Sequence, residues 1–256
     1  MTFEVLISCM YQKGFSIIYA SQLEKVKATI INQTDIAQDT WFNDEKGHKR
    51  LDTKTRGLSV SRNMAVNAAE SDICLICDDD ECFVDGLEEK VLSAYRDYPD
   101  ADMICFMLDC PESIMPRKAK KINYITALKI VSCQISFWRD RIINADIHFD
   151  TNFGSGTEIG SGEENIFLYD CLRKKLKIYY VPIKIGRIDP SESKWFKGFS
   201  EESFVNHGKK VRRMMGRFWG LLYCTYFSIA KYSRYKKYVT FSHALSNMIK
   251  GLNYTF

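Results

Sequence analysis

The sequence has no apolar run long enough to cross a membrane and no regular cysteine spacing. Its most apolar later stretch, FWGLLYCTYFSIA from Phe218 to Ala230, has 13 residues, whereas a spanning helix needs about 20. The nine cysteines follow no regular spacing, and the one CxxC pair, Cys74 and Cys77, falls within an apolar, strand-like run. No basic, apolar leader resembling a signal peptide begins the chain. These absences argue against a disulfide framework and favour a cytoplasmic protein with buried, reduced thiols.

Acidic residues are absent from the C-terminal part of the chain. Residues 203–256 hold ten Lys and Arg and no Asp or Glu, whereas residues 1–202 hold 26 basic and 32 acidic residues, giving +10 and −6. Such asymmetry predicts that the tail meets an anionic surface, with a solvated basic helical face as the plain alternative. Phospholipid headgroups fit this charge better than nucleic acid, because no nucleic-acid-binding motif is present and the body is acidic.

The first 110 residues alternate between strand-like and helix-like segments, with no internal repeat. The apolar runs predict strands, and the amphipathic segments between them predict helices, with a polar surface excursion at 35–56 and an extended segment at 122–130. This alternation predicts an α/β fold with a mostly parallel sheet and helices on both of its faces. The simplest division is a domain of residues 1–202 and a basic, aromatic helical extension of residues 203–256. Predicted strands are Phe3–Cys9, Val26–Ile31, Asp72–Cys77 and Met103–Leu108, and predicted helices are Ile17–Lys25, Leu58–Ala69 and Leu87–Tyr98.

Three adjacent aspartates follow the third predicted strand, in the stretch ICLICDDDECF. Ligands bind beyond the carboxyl ends of the strands in such sheets. Side chains alternate along a strand, so Asp78 and Asp80 converge while Asp79 turns away. Two converging carboxylates repel each other unless a cation lies between them, and their oxygens suit Mg²⁺ or Mn²⁺. An acidic turn before the next helix is the simpler alternative.

Two further segments carry chemistry that fits this edge of the sheet. RGLSVSRNMA brings Arg56 and Arg62 to a helix N-terminus, a combination that could hold a diphosphate, although solvated arginines at an ordinary helix start explain it too. GSGEEN places Glu163 and Glu164 after a glycine-rich loop, at the first turn of a helix. The helix dipole favours acids there, and a general base at the mouth of a site is the functional alternative.

Taken in order, these segments resemble a known family. GLSVSRNMAVNAAESDICLICDDDE and FDTNFGSGTEIGSGEENIFLYDCL are similar to the two characteristic blocks of the GT-A glycosyltransferases of family 2, the inverting enzymes of bacterial surface polysaccharide synthesis. VLISCMYQ and IINQTD look like the first two strands of that family. The resemblance covers roughly residues 4–185 and implies a GT-A, Rossmann-like fold with the basic tail as a helical appendage.

The resemblance also implies a donor site and a metal site. Asp78 and Asp80 would form the family's D-x-D element, with Asp78 near the ribose and Asp80 on a Mn²⁺ or Mg²⁺ ion that bridges the diphosphate. A UDP-sugar is the expected donor. The donor-binding residues implied are Asp35, Arg56, Arg62, Asp78 and Asp79.

A base and an acceptor side are implied in the same way. By alignment Glu164 would deprotonate the acceptor hydroxyl for a single displacement with inversion, with Glu163 beside it and Gly160 and Gly162 leaving room for the acceptor. The expected acceptor is a glycan or a lipid-linked glycan on the inner face of the cytoplasmic membrane, with the tail resting on anionic lipid.

The chain departs from the family pattern at two places. It has Glu-Glu where the family usually has Glu-Asp, and VPIKIGRID offers Arg187 where many relatives carry histidine. Because arginine stays protonated, Arg187 can bind phosphate but cannot ligate a metal. These departures leave open a non-catalytic, nucleotide-sugar-binding protein. A nucleotidyltransferase is a further alternative, although the expected N-terminal glycine signature is missing.

Overall fold

The structure, a computed structural model, describes residues 1–109, 116–188 and 198–256. It contains strands and helices in alternation, followed by C-terminal helices. The strands are β1 Phe3–Met10, β2 Ala28–Gln33, β3 Thr40–Asn43, β4 Lys49–Thr53, β5 Ile73–Cys77, β6 Glu81–Phe83, β7 Met103–Asp109, β8 Lys120–Lys121, β9 Ile135–Trp138 and β10 Ile178–Ile188. The helices are α1 Ser16–Ala20, α2 Leu58–Ala68, α3 Leu87–Asp97, α4 Tyr124–Ala127, α5 Arg139–Asn144, α6 Glu163–Arg173, α7 Glu201–Ala230, α8 Tyr232–Tyr235 and α9 Phe241–Leu252.

Within the described ranges these strands form one sheet in the order β3-β4-β2-β1-β5-β9-β7-β10-β6, with β8 beside β10. Strands β4, β2, β1 and β5 are parallel neighbours, and β7 is parallel to β10. Strand β9 runs antiparallel to both β5 and β7, so these two strands share a direction. The carboxyl ends of six strands therefore meet at one edge of the sheet, which confirms the predicted mostly parallel α/β fold.

The sheet is buried on both faces because its central strands are apolar at nearly every position. In β1, Val5 and Ile7 pack into one core with the α1 and α3 helices, whereas Leu6 packs into the other core with α2 and α6. Period-two alternation sends neighbouring side chains to opposite faces, so a continuous apolar run is what a doubly covered strand requires. The described cysteines are free, and all but Cys82 are buried, in agreement with reduced thiols.

Two predictions about local structure are wrong. The polar segment 35–56 is not only a surface excursion, because β3 and β4 within it extend the sheet beyond β2. The segment 122–130 is not extended: Asn123 begins a short helix by accepting hydrogen bonds from the backbone N–H groups of Ile125 and Thr126. In both cases the pattern was too short or too polar for periodicity to identify. Pairing with β2 determined the conformation of the first segment, and the local Asn123 cap determined that of the second.

The C-terminal helices form a tightly packed pair with a small core of their own. Helices α7 and α9 approach closely at glycines: a Cβ at Gly208 would lie 2.1 Å from the Met248 carbonyl oxygen, and one at Gly251 would lie 2.1 Å from that of Val205. Helix α7 is interrupted at Gly216, whose φ of 71° is not helical. Across the described residues, no helix is long and apolar enough to cross a membrane.

Candidate active site

A cavity of about 310 Å³ lies at the carboxyl edge of the sheet, beyond the end of β5. It brings together the two acidic segments, which are far apart in the sequence. Strand β5 ends at Cys77, and the chain leaves the core with Asp78. Gly162, with a φ of 94°, begins α6 on the other side. The acidic residues in the lining are Asp78, Asp80, Glu81, Glu163 and Glu164.

Arg62 connects these two acidic segments from below. Its Nη1 donates to Glu163 Oε1 at 2.8 Å, and its Nη2 donates to Asp78 Oδ1 at 2.6 Å and Oδ2 at 2.9 Å. The guanidinium lies 5.5 Å from the centre of the Phe149 ring, and the residue is only 1% exposed. One buried cation therefore joins α2, the end of β5 and the start of α6.

This position corrects the expected diphosphate cradle. Arg62 points inward and pairs with carboxylates, whereas Arg56 is exposed and pairs with Asp35 at the surface. The two arginines do not converge, because Arg56 precedes α2 whereas Arg62, six positions later, lies within it. Tyr11, which sequence reasoning missed, donates its hydroxyl hydrogen bond to Asp35 at 3.1 Å, and Arg56 lies 5.8 Å from its ring centre. Tyr11, Asp35 and Arg56 thus form a separate cluster beyond the ends of β1 and β2.

The three aspartates have different surroundings. Asp78 is 9% exposed and also accepts a hydrogen bond from Ser132 Oγ at 3.0 Å. Asp80 is half-buried in the cavity lining, and Asp79 is exposed and lies outside that lining. This is the arrangement expected from side-chain alternation. The Asp78 oxygens are held by Arg62 and Ser132, and Asp80 is the more exposed of the two lining aspartates.

The described residues contain no group of three or more His, Cys, Asp and Glu side chains arranged to hold a metal ion. Magnesium, however, is commonly held by one or two carboxylates together with substrate phosphates. The two lining aspartates therefore fit a cation that arrives with a diphosphate, and they do not fit a cation held by the protein alone. Arg187 is exposed on β10, in register with Cys82 on β6, the strand that begins one residue after Asp80.

Glu81 and Cys133 are lining residues that sequence reasoning did not single out. The Glu81 carboxylate accepts the Asp78 backbone N–H at 2.7 Å and a hydrogen bond from the Cys133 thiol. Burial, with the nearby Asp78 charge, raises the pKa of Glu81 well above the usual carboxyl range. The acidic run DDDE could have pointed to Glu81. Ser132 and Cys133, however, lie 51 or more residues further along the chain and carry no local signal.

The two glutamates that begin α6 also differ from each other. Glu163 is 5% exposed and is held by Arg62, whereas Glu164 is half-buried. Burial, together with the charge of Glu163, raises the pKa of Glu164 to about 8. A carboxylate with a raised pKa is a stronger base, so the geometry favours Glu164 as the group that accepts a proton.

The C-terminal extension also reaches this site. Lys210 of α7 donates to Ser161 Oγ at 3.1 Å, and its side chain covers Gly162, where a Cβ would lie 2.4 Å from the Lys210 Cδ. Ser161 and Gly160 line both the 310 Å³ cavity and a second cavity of about 520 Å³ between the glycine loop and α7. The tail is therefore in contact with the glycine loop that precedes α6.

Comparison with known proteins finds one family model that matches part of the chain. The family model described as "Glycosyl transferase family 2" matches residues 32–157. This span contains the aspartate run after β5, and it ends before Glu163 and the tail. No curated protein sequence matches the chain.

The fold is similar to that of solved structures of TarS from S. aureus. The crystal structure of TarS 1-349 matches with a TM-score of 0.66 at 13% identity, over 99% of this chain and 81% of that chain. The same fragment in complex with UDP-GlcNAc has a TM-score of 0.65 at 13% identity, over 98% and 82% of the two chains. Its complex with UDP has a TM-score of 0.61 at 14% identity, over 99% and 81%. At these identities the similarity shows the fold, including the C-terminal helices.

Proposed function

We propose that the chain, a glycosyltransferase whose residues 32–157 match the family 2 model, transfers a sugar from a UDP-sugar to a hydroxyl group of a glycan or lipid-linked acceptor, with inversion. The observation that carries this proposal is the 310 Å³ cavity, whose lining combines Asp78 and Asp80 with Glu163 and Glu164. The choice of UDP is supported by the similar fold of TarS, which was solved with UDP-GlcNAc and with UDP.

In the proposed reaction the base is Glu164. Its carboxylate takes the proton of the acceptor hydroxyl as that oxygen attacks the anomeric carbon and the bond to the diphosphate oxygen breaks. A single displacement of this kind inverts the anomeric configuration. Glu163, held by Arg62, fixes the first turn of α6, so that the neighbouring Glu164 lines the cavity.

The departing nucleoside diphosphate gains negative charge as the bond breaks. A Mn²⁺ or Mg²⁺ ion held by Asp80 and the donor phosphates would offset that charge. Asp78, fixed by Arg62 and Ser132, would meet the ribose, and Asp79 stays a predicted donor contact on the exposed side. The cluster of Tyr11, Asp35 and Arg56, beyond the ends of β1 and β2, would contact the nucleobase of the donor. Arg187 would contact phosphate.

The acceptor would enter on the side of the glycine loop. Gly160 lines both cavities, so the 520 Å³ cavity beneath α7 opens toward the base through Gly160 and Ser161. If the acceptor is lipid-linked, the transfer reaction takes place at the inner face of the cytoplasmic membrane. In this proposal residues 1–202 form the catalytic domain and residues 203–256 form an extension that contacts it.

The proposed function predicts which nucleotide-sugars the protein recognises. We expect UDP-sugars to raise the melting temperature and to be hydrolysed slowly with release of UDP, and Mn²⁺ or Mg²⁺ to increase both effects relative to EDTA. Thermal shift and UDP release over a panel of UDP-, GDP-, CMP- and dTDP-sugars measure this. If no UDP-sugar raised the melting temperature or released UDP, the proposal would be wrong. If both effects were as large in EDTA, the proposed role of the cation would be wrong.

The contact between the tail and the site predicts a change in pH dependence. Glu164 faces Glu163 on its own helix, Arg62 on α2 and Lys210 on α7, and it shares the cavity with Asp78, Asp80 and Glu81. The base works deprotonated, so activity should rise with pH through its pKa. In Lys210→Met the lost positive charge raises that pKa, and the acidic limb of kcat/KM should move several tenths of a unit to higher pH.

The neighbouring lysine supplies the matched control. Lys209 is paired with Glu158 at 2.7 Å and does not face Glu164, so Lys209→Met should leave the acidic limb in place. UDP-sugar hydrolysis measured from pH 5 to 10 with both variants decides the point. Equal shifts in the two variants, or none in Lys210→Met, would show that Lys210 does not act on the base.

A further inference from the structure

The part of α7 after Gly216 carries an exposed apolar surface. Phe218, Trp219, Leu222, Tyr226 and Ile229 are 69%, 66%, 52%, 64% and 65% exposed, and we call this set the aromatic face. Spacings of three and four residues place these side chains on one side of the helix. The opposite side, with Gly220, Cys224 and Ser228, is buried against α9 and the small C-terminal core.

Positive charges border the aromatic face. Arg217 precedes it, and Arg234, Lys236 and Lys237 follow it, all four exposed. No acidic residue occurs anywhere in residues 203–256. A surface that combines exposed Trp, Phe and Tyr with Lys and Arg and has no acid matches an interface that is both apolar and anionic.

A second copy of the chain fits this surface poorly. A two-fold symmetric contact would bring the same patch of each copy together, so the bordering arginines and lysines would face each other. Like charges facing each other across an interface oppose association. An anionic bilayer offers the opposite charge and an apolar layer for the aromatic rings at the same time.

We propose that the aromatic face docks on the surface of an anionic phospholipid bilayer. The first half of α7 ties this face to the candidate active site: Arg213 donates to Asp150 at 2.7 Å and to Asp170 at 2.8 Å, and Lys210 contacts Ser161 of the glycine loop. Docking would therefore hold the acceptor side of the site close to the membrane. The positioning of the acceptor side rests on the proposed function, whereas the binding of the aromatic face to the bilayer does not.

Vesicle binding tests the proposal without donor or acceptor. The full chain should sediment with vesicles of phosphatidylcholine and 30% phosphatidylglycerol, should not sediment with phosphatidylcholine alone, and should bind less as NaCl is raised. Lys236→Gln with Lys237→Gln should weaken binding about fivefold per lysine. Trp219→Ser should weaken it by a similar or larger factor, because the ring no longer enters the interface.

Matched controls exist elsewhere on the chain. Lys120→Gln with Lys121→Gln removes the same charge from an adjacent exposed pair on β8, and Trp41→Ser removes an exposed Trp from β3. Both controls should bind vesicles like the unchanged protein. Equal losses in controls and face variants, or no binding to anionic vesicles, would overturn the proposal. So would a dimer, seen by analytical ultracentrifugation, that Trp219→Ser abolishes while vesicle binding is unchanged.

The outcomes separate this proposal from the proposed function. Vesicle binding by a protein that turns over no UDP-sugar would leave the docking surface standing and remove the catalytic proposal. If the protein turned over UDP-sugars but did not bind anionic vesicles, the catalytic proposal would stand and the docking surface would be wrong.

Discussion

Glu164→Gln is expected to abolish most turnover while donor binding remains. Glutamine has the size of glutamate but cannot accept a proton, so the acceptor oxygen would have to attack with its proton in place. Loss of a positioned general base costs roughly 10²–10⁴-fold in rate. Glu164 lies on the glycine-loop side of the cavity, across from the Asp78–Asp80 segment where the donor would bind, so the affinity for UDP should change little. Initial rates of UDP release, with UDP binding measured by calorimetry, check both halves.

An unusually close control is available in α3. Glu88 and Glu164 are each the second residue of a helix whose N-cap is a left-handed glycine, Gly86 in one case and Gly162 in the other. Glu88 is exposed and outside the cavity. Glu88→Gln therefore loses the same favourable interaction with the helix dipole, about 0.3–1 kcal/mol, without loss of a base. Turnover in Glu164→Gln as fast as in Glu88→Gln would show that another group is the base.

Arg62→Met is expected to cause the largest loss of stability. It leaves the Asp78 and Glu163 carboxylates buried without their cation, and removal of one partner from a buried ion pair typically costs about 3–5 kcal/mol in the free energy of unfolding. Small domains have only about 5–15 kcal/mol in total, so the effect should be evident in urea unfolding curves. The matched control is Arg96→Met, because Arg96 forms an exposed pair with Glu89 whose loss should cost about 1 kcal/mol or less.

A second variant keeps this prediction testable if Arg62→Met does not fold. Arg62→Lys retains the charge but lacks the planar fork that reaches Glu163 and Asp78 together. We expect it to fold with a lower melting temperature, to lower kcat, and to leave the acidic limb of the pH profile in place, because the charge near Glu164 is kept. An unchanged kcat in Arg62→Lys would mean that Arg62 supports the fold without positioning the site.

The core of the sheet was predictable because its signal is local. Strands β1, β2, β5 and β7 are apolar runs buried on both faces, and α2 and α3 are amphipathic segments between them, so composition and period were sufficient. Strands β3 and β4 were less accessible. They are short and polar, and they become strands by hydrogen bonding to each other and to β2.

The sequence by itself determined the chemistry at hand: three aspartates after a buried strand, two glutamates after a glycine loop, and a tail with ten positive charges and no negative one. Only the tertiary structure decided which of these groups are buried and which of them pair with each other. Arg62 belongs to the interior because two carboxylates from distant segments meet there, and Arg56 belongs to the surface because Asp35 lies beside it. Glu163 is set apart from Glu164 by its ion pair with Arg62, and the Lys210 charge lies near Glu164 because α7 packs over the glycine loop. Burial, ion pairing and helix docking depend on contacts between residues up to 101 positions apart, and no local pattern encodes them.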